Sequence, residues 1–303
     1  MAKIVGIGAN VFDTLYNIPT YPTEDTKMRA TASKTAGGGP VATGLVAAQK
    51  LGEETAYIGV LSDDNGGRFL KEDFEKYGVE TNFIDIKSGY RSFASVLWLC
   101  ADTTTRTCVF DRGDLPPLQL SETQKQAIKD AEILMVDGNE MEAAVEGAKI
   151  ARANGTKVLY DCGGLYDGVE RLLELTDIMI PSEEFSLGHT GCKTAEEAAK
   201  KLYETYNPEV IVITQGKRGG IIYDGEKITA YPIYPAVVVD SNGSGDVFHG
   251  AFAAAVVKGY NYLKCCHFSS AVSGLKCTGI GARESVPDFE TTKKYLKENG
   301  YEL

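Results

Sequence analysis

Val237-Val238-Val239-Asp240-Ser241-Asn242-Gly243-Ser244-Gly245-Asp246-Val247-Phe248-His249-Gly250-Ala251 is the stretch on which the reading of this chain turns. The β-branched run predicts a strand, Gly-Ser-Gly a tight turn, and the small apolar residues across 245–258 a buried helix. Glycines let main-chain N–H groups turn inward with no Cβ in the way, and a helix N-terminus adds unsatisfied donors and partial positive charge. Together they make a hole for an anion, suited to the charge that builds on a phosphoryl group during transfer. Asp246 stands at the mouth of this turn, where its carboxylate can take a proton from an attacking hydroxyl. A bare G-x-G-D string is more often a turn with a capped helix behind it. Here the strand before it, the helix after it and the register of the aspartate all agree with the anion site.

Outward from that turn, short β-branched runs alternate with helical periodicity along most of the 303 residues. Strands are predicted at 4–8, 54–60, 133–136, 157–160, 178–180, 210–214 and 220–223, and helices at 41–51, 68–77, 141–154, 195–206 and 245–258. This alternation predicts an α/β sandwich of three layers: a mostly parallel central sheet, helices on both faces, and ligands at the C-terminal strand ends. Two stretches break the rhythm. Residues 16–36 are polar and Thr-rich without a helix period, while 92–100 and 106–110 read as strands about a turn at 101–105. They are expected to form a small β-sheet inserted at about 14–36 and 90–112, a lid that keeps water from a cleft. With no repeat or linker to divide it, 1–303 reads as one domain.

Composition excludes several functions. The net charge is −11 and no Lys/Arg block stands out, so nucleic acid is not the expected partner. No apolar run approaches the roughly 20 residues of a membrane span, and the N-terminus enters a strand without signal-peptide character, so a cytoplasmic protein is expected. Seven scattered cysteines with no C-x-x-C pair, beside three histidines, read as reduced thiols rather than a zinc site. Other nucleotide motifs fail: G-x-x-x-x-G-K-[ST] is absent, and Gly6-x-Gly8 lacks a glycine at position 11.

The string from Asp240 to Gly250 resembles the D-T-x-G-A-G-D-x-F-x-x-G signature of the ribokinase, or phosphofructokinase-B, family of carbohydrate kinases. Gly37-Gly38-Gly39-Pro40-Val41-Ala42-Thr43 is similar to its G-G-x-x-x-N helix start. Residues 59–67 with Gly78-Val79-Glu80-Thr81 resemble its G-x-V-G-x-D-x-x-G…G-V-x-T stretch, and Thr214-Gln215-Gly216-Lys217-Arg218-Gly219 its T-x-G-x-x-G turn. The likeness runs in the family's order from residue 4 to about 290. It implies a ribokinase-like fold with a β lid, ATP, Mg²⁺, and often an activating monovalent cation such as K⁺. Carried over by position, Asp246 would be the base, and Gly243, Ser244 and Gly245 the anion hole. Thr214, Gly216, Lys217, Gly219, Ser270 and Gly274 would lie along the nucleotide. Asp13, Lys27, Gly38, Gly39 and Thr43 would meet the sugar, with Glu183 and Asp240 the carboxylates linked to metal.

The departures from the pattern are informative. Thr43 stands where the family often has Asn, and Phe185 replaces the Glu of P-N-x-x-E, which leaves Glu183 or Glu184 for that role. Asn242 replaces the second Thr after Asp240, where a monovalent-cation site is implied, and D-x-N-x-R is reduced to Asp161-Cys162-Gly163-Gly164-Leu165. The wording is most similar to sulfofructose-kinase-like members, through 37–43, 214–216, 245–251, Lys276-Cys277-Thr278, Gly281-Ala282-Arg283 and Pro287-Asp288. Lys27, with Arg29, Arg91, Arg106 and Arg112 near the lid, could meet an anionic acceptor, although charges on such strands are usually solvated. The expected function is transfer of the ATP γ-phosphoryl group to a hydroxyl of a sugar or sugar derivative, with a homodimer through the lid edges left open. The alternatives are a nucleoside kinase on the same scaffold, with Phe12, Tyr16 and Trp98 toward a base, and a non-catalytic sugar-binding regulator.

Overall fold

The computed structural model describes residues 2–103, 105–165 and 167–303. The first half of the chain folds as β1 (Ile4–Ile7), β2 (Val11–Ile18), β3 (Ala32–Gly38), α1 (Pro40–Lys50), β4 (Thr55–Ser62), α2 (Asn65–Tyr77), β5 (Ile84–Lys87), β6 (Ala94–Cys100), β7 (Thr105–Asp111), α3 (Glu122–Asp130), β8 (Ile133–Val136) and α4 (Met141–Asn154). Then follow β9 (Lys157–Cys162), α5 (Glu170–Leu173), β10 (Ile178–Pro181), α6 (Glu183–Thr190), α7 (Ala195–Tyr206), β11 (Val210–Thr214), β12 (Gly220–Tyr223), β13 (Ile228–Tyr231), α8 (Ser244–Val257), α9 (Tyr262–Lys276) and α10 (Phe289–Glu298).

Nine strands pair in the order β13-β12-β11-β10-β9-β8-β1-β4-β5. All neighbours are parallel except β11 with β12 and β12 with β13. The period of two along a strand divides its side chains between two cores. Ile4, Met135, Leu159 and Val212 face α1, α8 and α9, whereas Val5, Leu134, Val158 and Ile211 face α3, α4, α5 and α7. The strands are apolar on both faces because both are covered, which gives the three-layer sandwich expected. Strand order reverses at β1, whose neighbours β8 and β4 lie on opposite sides, and a crevice opens beyond its C-terminal end.

A second sheet, β3-β2-β6-β7, stands over that crevice. Asp13, Leu15, Ser95 and Leu97 are buried on its inner face, and Tyr16, Val96, Trp98 and Val109 are exposed on the outer one. Strand pairing thus accounts for 11–18, 32–38, 94–100 and 105–111 of the inserted sheet, whereas 19–31 carries no strand. Residue 104, within the turn expected at 101–105, lies outside the described residues.

The strand expected at 237–239 does not form. Residues 232–239 are irregular, and Val237, Val238 and Val239 are among the most exposed apolar residues. Pro232 and Pro235 remove ladder donors at the start of the segment. Its end is held instead by the Val239 and Asp240 N–H groups, which both donate to the Cys277 carbonyl, at 2.8 and 3.1 Å.

Candidate active site

The turn before α8 is tied down by Asp240, which is buried. Its Oδ1 accepts the Asn242 N–H at 2.8 Å and its Oδ2 the Gly281 N–H at 2.9 Å. Gly243 then takes a left-handed conformation, φ 72°, and a Cβ there would lie 2.5 Å from the Ala282 Cβ, so only glycine fits. The Ser244 N–H closes on the Ser241 carbonyl at 3.2 Å, and α8 begins. The N–H groups of Gly243, Gly245 and Asp246 have no partner among the described residues. A Cβ added at Gly245 would meet nothing within 4 Å, so this helix start opens onto free space. It is a helix N-terminus with spare donors and a carboxylate on its first turn.

That turn forms one wall of a cavity of about 250 Å³, with Asp13, Gly38, Gly39 and Thr43 across from Asp246. Asp13 Oδ1 accepts the Ser95 hydroxyl at 2.6 Å. A Cβ at Gly38 would fall 2.0 Å from Asp13 Oδ2, so the glycine makes room for the carboxylate. Gly39 caps α1 with φ 93°, and a Cβ on it would strike the Ala9 carbonyl at 2.3 Å. Thr43 is fully buried in α1, and its Oγ1 has no hydrogen-bond partner among the described residues. A buried hydroxyl left unpaired beside a cavity is satisfied by what enters it. The lid closes the top with Phe93 and with Arg106, Cys108 and Phe110, which alternate along β7 and therefore share its inner face.

The electrostatics follow from burial. Burial raises the Asp246 carboxyl above its ordinary range, while His249, Arg106 and Lys276 pull it back toward the ionised form and Asp137 pushes it up. Asp13 rises to about 6, chiefly by burial, with the Ser95 hydrogen bond and Arg283 opposing and Asp246 adding to it. Under α8, His249 lies 3.2 Å from the buried Asp161 carboxylate and within 2.7 and 2.9 Å of the carbonyls of Gly245 and Ile180. Arg283 is also buried, paired with Asp73 at 2.6 Å and donating to Asn10 Oδ1 at 3.0 Å and the Gly38 carbonyl at 2.7 Å. It braces the start of the lid against α2.

The residues expected from sequence divide into groups. Asp13, Gly38, Gly39, Thr43, Gly243 and Asp246 converge on the cavity. Lys27 does not: it is exposed in the segment between β2 and β3. Thr214 ends β11, Gly216 and Lys217 form the exposed turn after it, and Gly219 has φ 83° with its Cβ position 2.2 Å from the Tyr231 carbonyl. On α9, Ser270 donates to the Pro232 carbonyl at 2.7 Å, and a Cβ on Gly274 would lie 3.6 Å from the Tyr234 carbonyl oxygen. These six flank the irregular segment and the β11 turn, and none of them lines the cavity of about 250 Å³.

Glu183 receives Gln215 Nε2 at 2.7 Å and an ion pair from Arg218, and Glu184 is exposed. Both Asp240 oxygens are taken by main-chain N–H groups. Among the described residues no group of three or more His, Cys, Asp or Glu could hold a metal ion. Of the arginines, Arg91 pairs with Asp111 and Asp114, Arg29 is exposed, and Arg112 lines a neighbouring cavity of about 360 Å³. Arg106 alone of the four lines the cavity beside Asp246. Phe12 packs edge-on against Phe69, and Tyr16 and Trp98 face away from the cavity, so none of the three lines it. Ser95, Phe93, His249 and the roles of Lys276 and Arg283 were not anticipated. Only the alternation along β6, which puts Ser95 on one face with Leu97, carried a signal.

The architecture and the site together define an α/β protein of the ribokinase-like fold. Residues 1–288 match the profile of the pfkB family carbohydrate kinases, and the chain belongs to that family. The 5-dehydro-2-deoxygluconokinase of Clostridium perfringens is 26% identical over 291 residues, which cover 88% of this chain and 85% of that protein. Arabidopsis thaliana ribokinase is 26% identical over 306 residues, covering 97% of this chain and 81% of that one. Its structure with ribose and ATP has a TM-score of 0.88 over 98% of this chain and 99% of the other. Thermotoga maritima ribokinase, 24% identical, shares the fold with a TM-score of 0.84 over 98% of this chain and 100% of its own. These similarities are to the family and carry no sulfofructose-kinase subtype. No helix among the described residues is long and apolar enough to cross a membrane.

Proposed function

We propose that this chain is an ATP-dependent sugar kinase. A hydroxyl of the acceptor attacks the γ-phosphorus, its proton passes to Asp246, and ADP leaves. The free N–H groups of Gly245 and Asp246 meet the charge that develops on the transferring group, each such donor contributing on the order of 3 kcal/mol. Asp13 accepts hydrogen bonds from acceptor hydroxyls, and the unpaired Thr43 hydroxyl gains a partner. ATP lies over the β11 turn toward Ser270 and Gly274, its base against the exposed valines at 237–239, and Mg²⁺ arrives with the phosphates as part of the MgATP substrate. The observation that carries this reading is that one cavity of about 250 Å³ holds Asp246 and the helix start on one side and Asp13 with an orphaned Thr43 hydroxyl on the other.

A finer reading has its own support. Arg106 faces the acceptor cavity and makes no ion pair among the described residues, which favours an acceptor carrying a negative group. The Clostridium perfringens relative is named for a sugar acid. One screen addresses both readings: ADP release with neutral sugars, sugar acids, sugar phosphates, sulfosugars and nucleosides, with Asp246→Asn as the blank. A sugar should be turned over, an acid better than its neutral counterpart, and Asp246→Asn should lower kcat by about 100-fold or more with acceptor binding largely kept. Near-normal turnover by that variant would remove Asp246 as the base. Preference for a nucleoside would move the chain to the nucleoside kinases, and silence across the panel would favour the sugar-binding regulator.

A further inference from the structure

Lys276, on the last turn of α9, is fully buried, which is rare for a lysine. Its ammonium donates to the carbonyl oxygen of Asp240 at 2.8 Å and to that of Asn242. Both carbonyls belong to the turn that leads into α8. The Asp240 carboxylate holds the same turn from its other side, through Asn242 and Gly281. Burial lowers the Lys276 pKa, and the nearby Asp240, Cys277 and Asp246 act against that shift. A desolvated ammonium is costly, and so are inward-pointing carbonyls without a partner. Each group here relieves the other.

We propose that the Lys276 ammonium is a built-in monovalent cation, a positioning group that keeps the carbonyls of 240 and 242 turned inward and so leaves the amides of Gly245 and Asp246 facing the cavity. Monovalent cations such as K⁺ bind where carbonyl oxygens replace their water. In this chain those oxygens are already taken by a covalently tethered charge. The K⁺ implied by family resemblance therefore does not fit here, and turnover is independent of added monovalent cation. The kinetic part of this inference rests on the phosphotransfer reading, whereas its structural part does not.

The test compares the wild type with Lys276→Ala and Lys276→Met in tetramethylammonium chloride, with KCl or NH₄Cl substituted at constant ionic strength. Melting temperature is read first, because it needs no acceptor. K⁺ or NH₄⁺ should leave the wild type unmoved and raise the melting temperature of Lys276→Ala, whose vacated space admits an ion. With the acceptor found in the screen, wild-type turnover should stay within about twofold across the salts. Lys276→Ala should lose about 100-fold in kcat with little change in acceptor KM, and recover about tenfold or more of it in K⁺ or NH₄⁺. Lys276→Met keeps the volume without the charge; it should fold, lose turnover and stay unrescued. Activation of the wild type by K⁺, normal kcat in Lys276→Met, or an alanine variant indifferent to every cation in both melting and turnover would each overturn the proposal. A proposal that survives the melting arm when no acceptor is phosphorylated would leave the cation role standing and the kinase reading fallen.

Discussion

Asp13 is held in a poor place for a charge, on the wall of the cavity. Its side chain, on β2, is buried against Gly38, with the Ser95 hydroxyl as its hydrogen-bond donor. Its pKa of about 6 in the fold exceeds the ordinary 3.8, so the folded protein binds this proton more tightly than the unfolded chain. Stability is therefore undiminished below the unfolded value and falls as pH rises from about 4 to about 6, by a total of about 3 kcal/mol. Asp13→Asn keeps the shape and removes the charge. In urea titrations it should match the wild type near pH 4 and exceed it by about 2 kcal/mol at pH 8, while its acceptor KM rises about tenfold. Equal pH dependence in the two proteins would show that Asp13 is not strained by ionisation. The placement of Asp246 beside a cavity was legible from the local chemistry of its turn, whereas Asp13, the 38–39 glycines and Thr43 were expected there only through the family resemblance. Lys276 was not: nothing in 262–276 says that its ammonium bends toward carbonyls more than 30 residues earlier. Lys27 misled because a charge near a lid in sequence need not point into the cleft in space.

At the scale of elements, the site depends on how closely α1 and α8 approach. Thr43 rides on the first helix and Asp246 on the second, and the two cross at Gly44 and Gly250. A Cβ on Gly250 would stand 2.0 Å from the Gly44 carbonyl oxygen, which is main chain and cannot step aside. Gly250→Ala must push the helices apart and part the two walls of the cavity. It should cost about 1–3 kcal/mol of stability in chemical denaturation and lower kcat/KM by about tenfold or more, by overpacking and by displacement of Asp246. Wild-type stability in that variant would mean that the helices have slack. The sequence signalled both helices through their small residues, but not this contact, since a glycine in a helix has no pattern that names its neighbour. The valine triplet at 237–239 failed for a related reason. β-branched residues favour an extended backbone, yet a strand also needs an edge to pair with, and here Cys277 at the end of α9 supplies the bonds instead.

The molecule as a whole brings the cavity together from distant parts of the chain: the lid strands, the start of α1, the start of α8 and the loop at Ala282. Seven strands of the nine-stranded sheet were readable because burial on both faces forces near-continuous apolar runs. The two edge strands β5 and β13, only partly buried, were not. The second sheet was readable because alternation without a helix period marks a one-sided sheet. What could not be read was the angle at which the lid meets the body, which is set by contacts such as Arg283 with Asp73 and the Gly38 carbonyl. β7 is one of the two edge strands of that sheet, paired along one side only among the described residues and exposed at all seven, although Arg106, Cys108 and Phe110 line the cavity. A molecule seated below them would supply the neighbours that the strand lacks. Amide deuterium uptake across 105–111 should then slow by about tenfold or more on acceptor binding, with the β1, β8 and β9 amides unchanged. Uptake that ignores the acceptor would mean that the lid is already closed. With uptake slowed in that way, the roof of the chamber would be furnished in part by the guest, and the filled molecule would be more ordered there than the empty one.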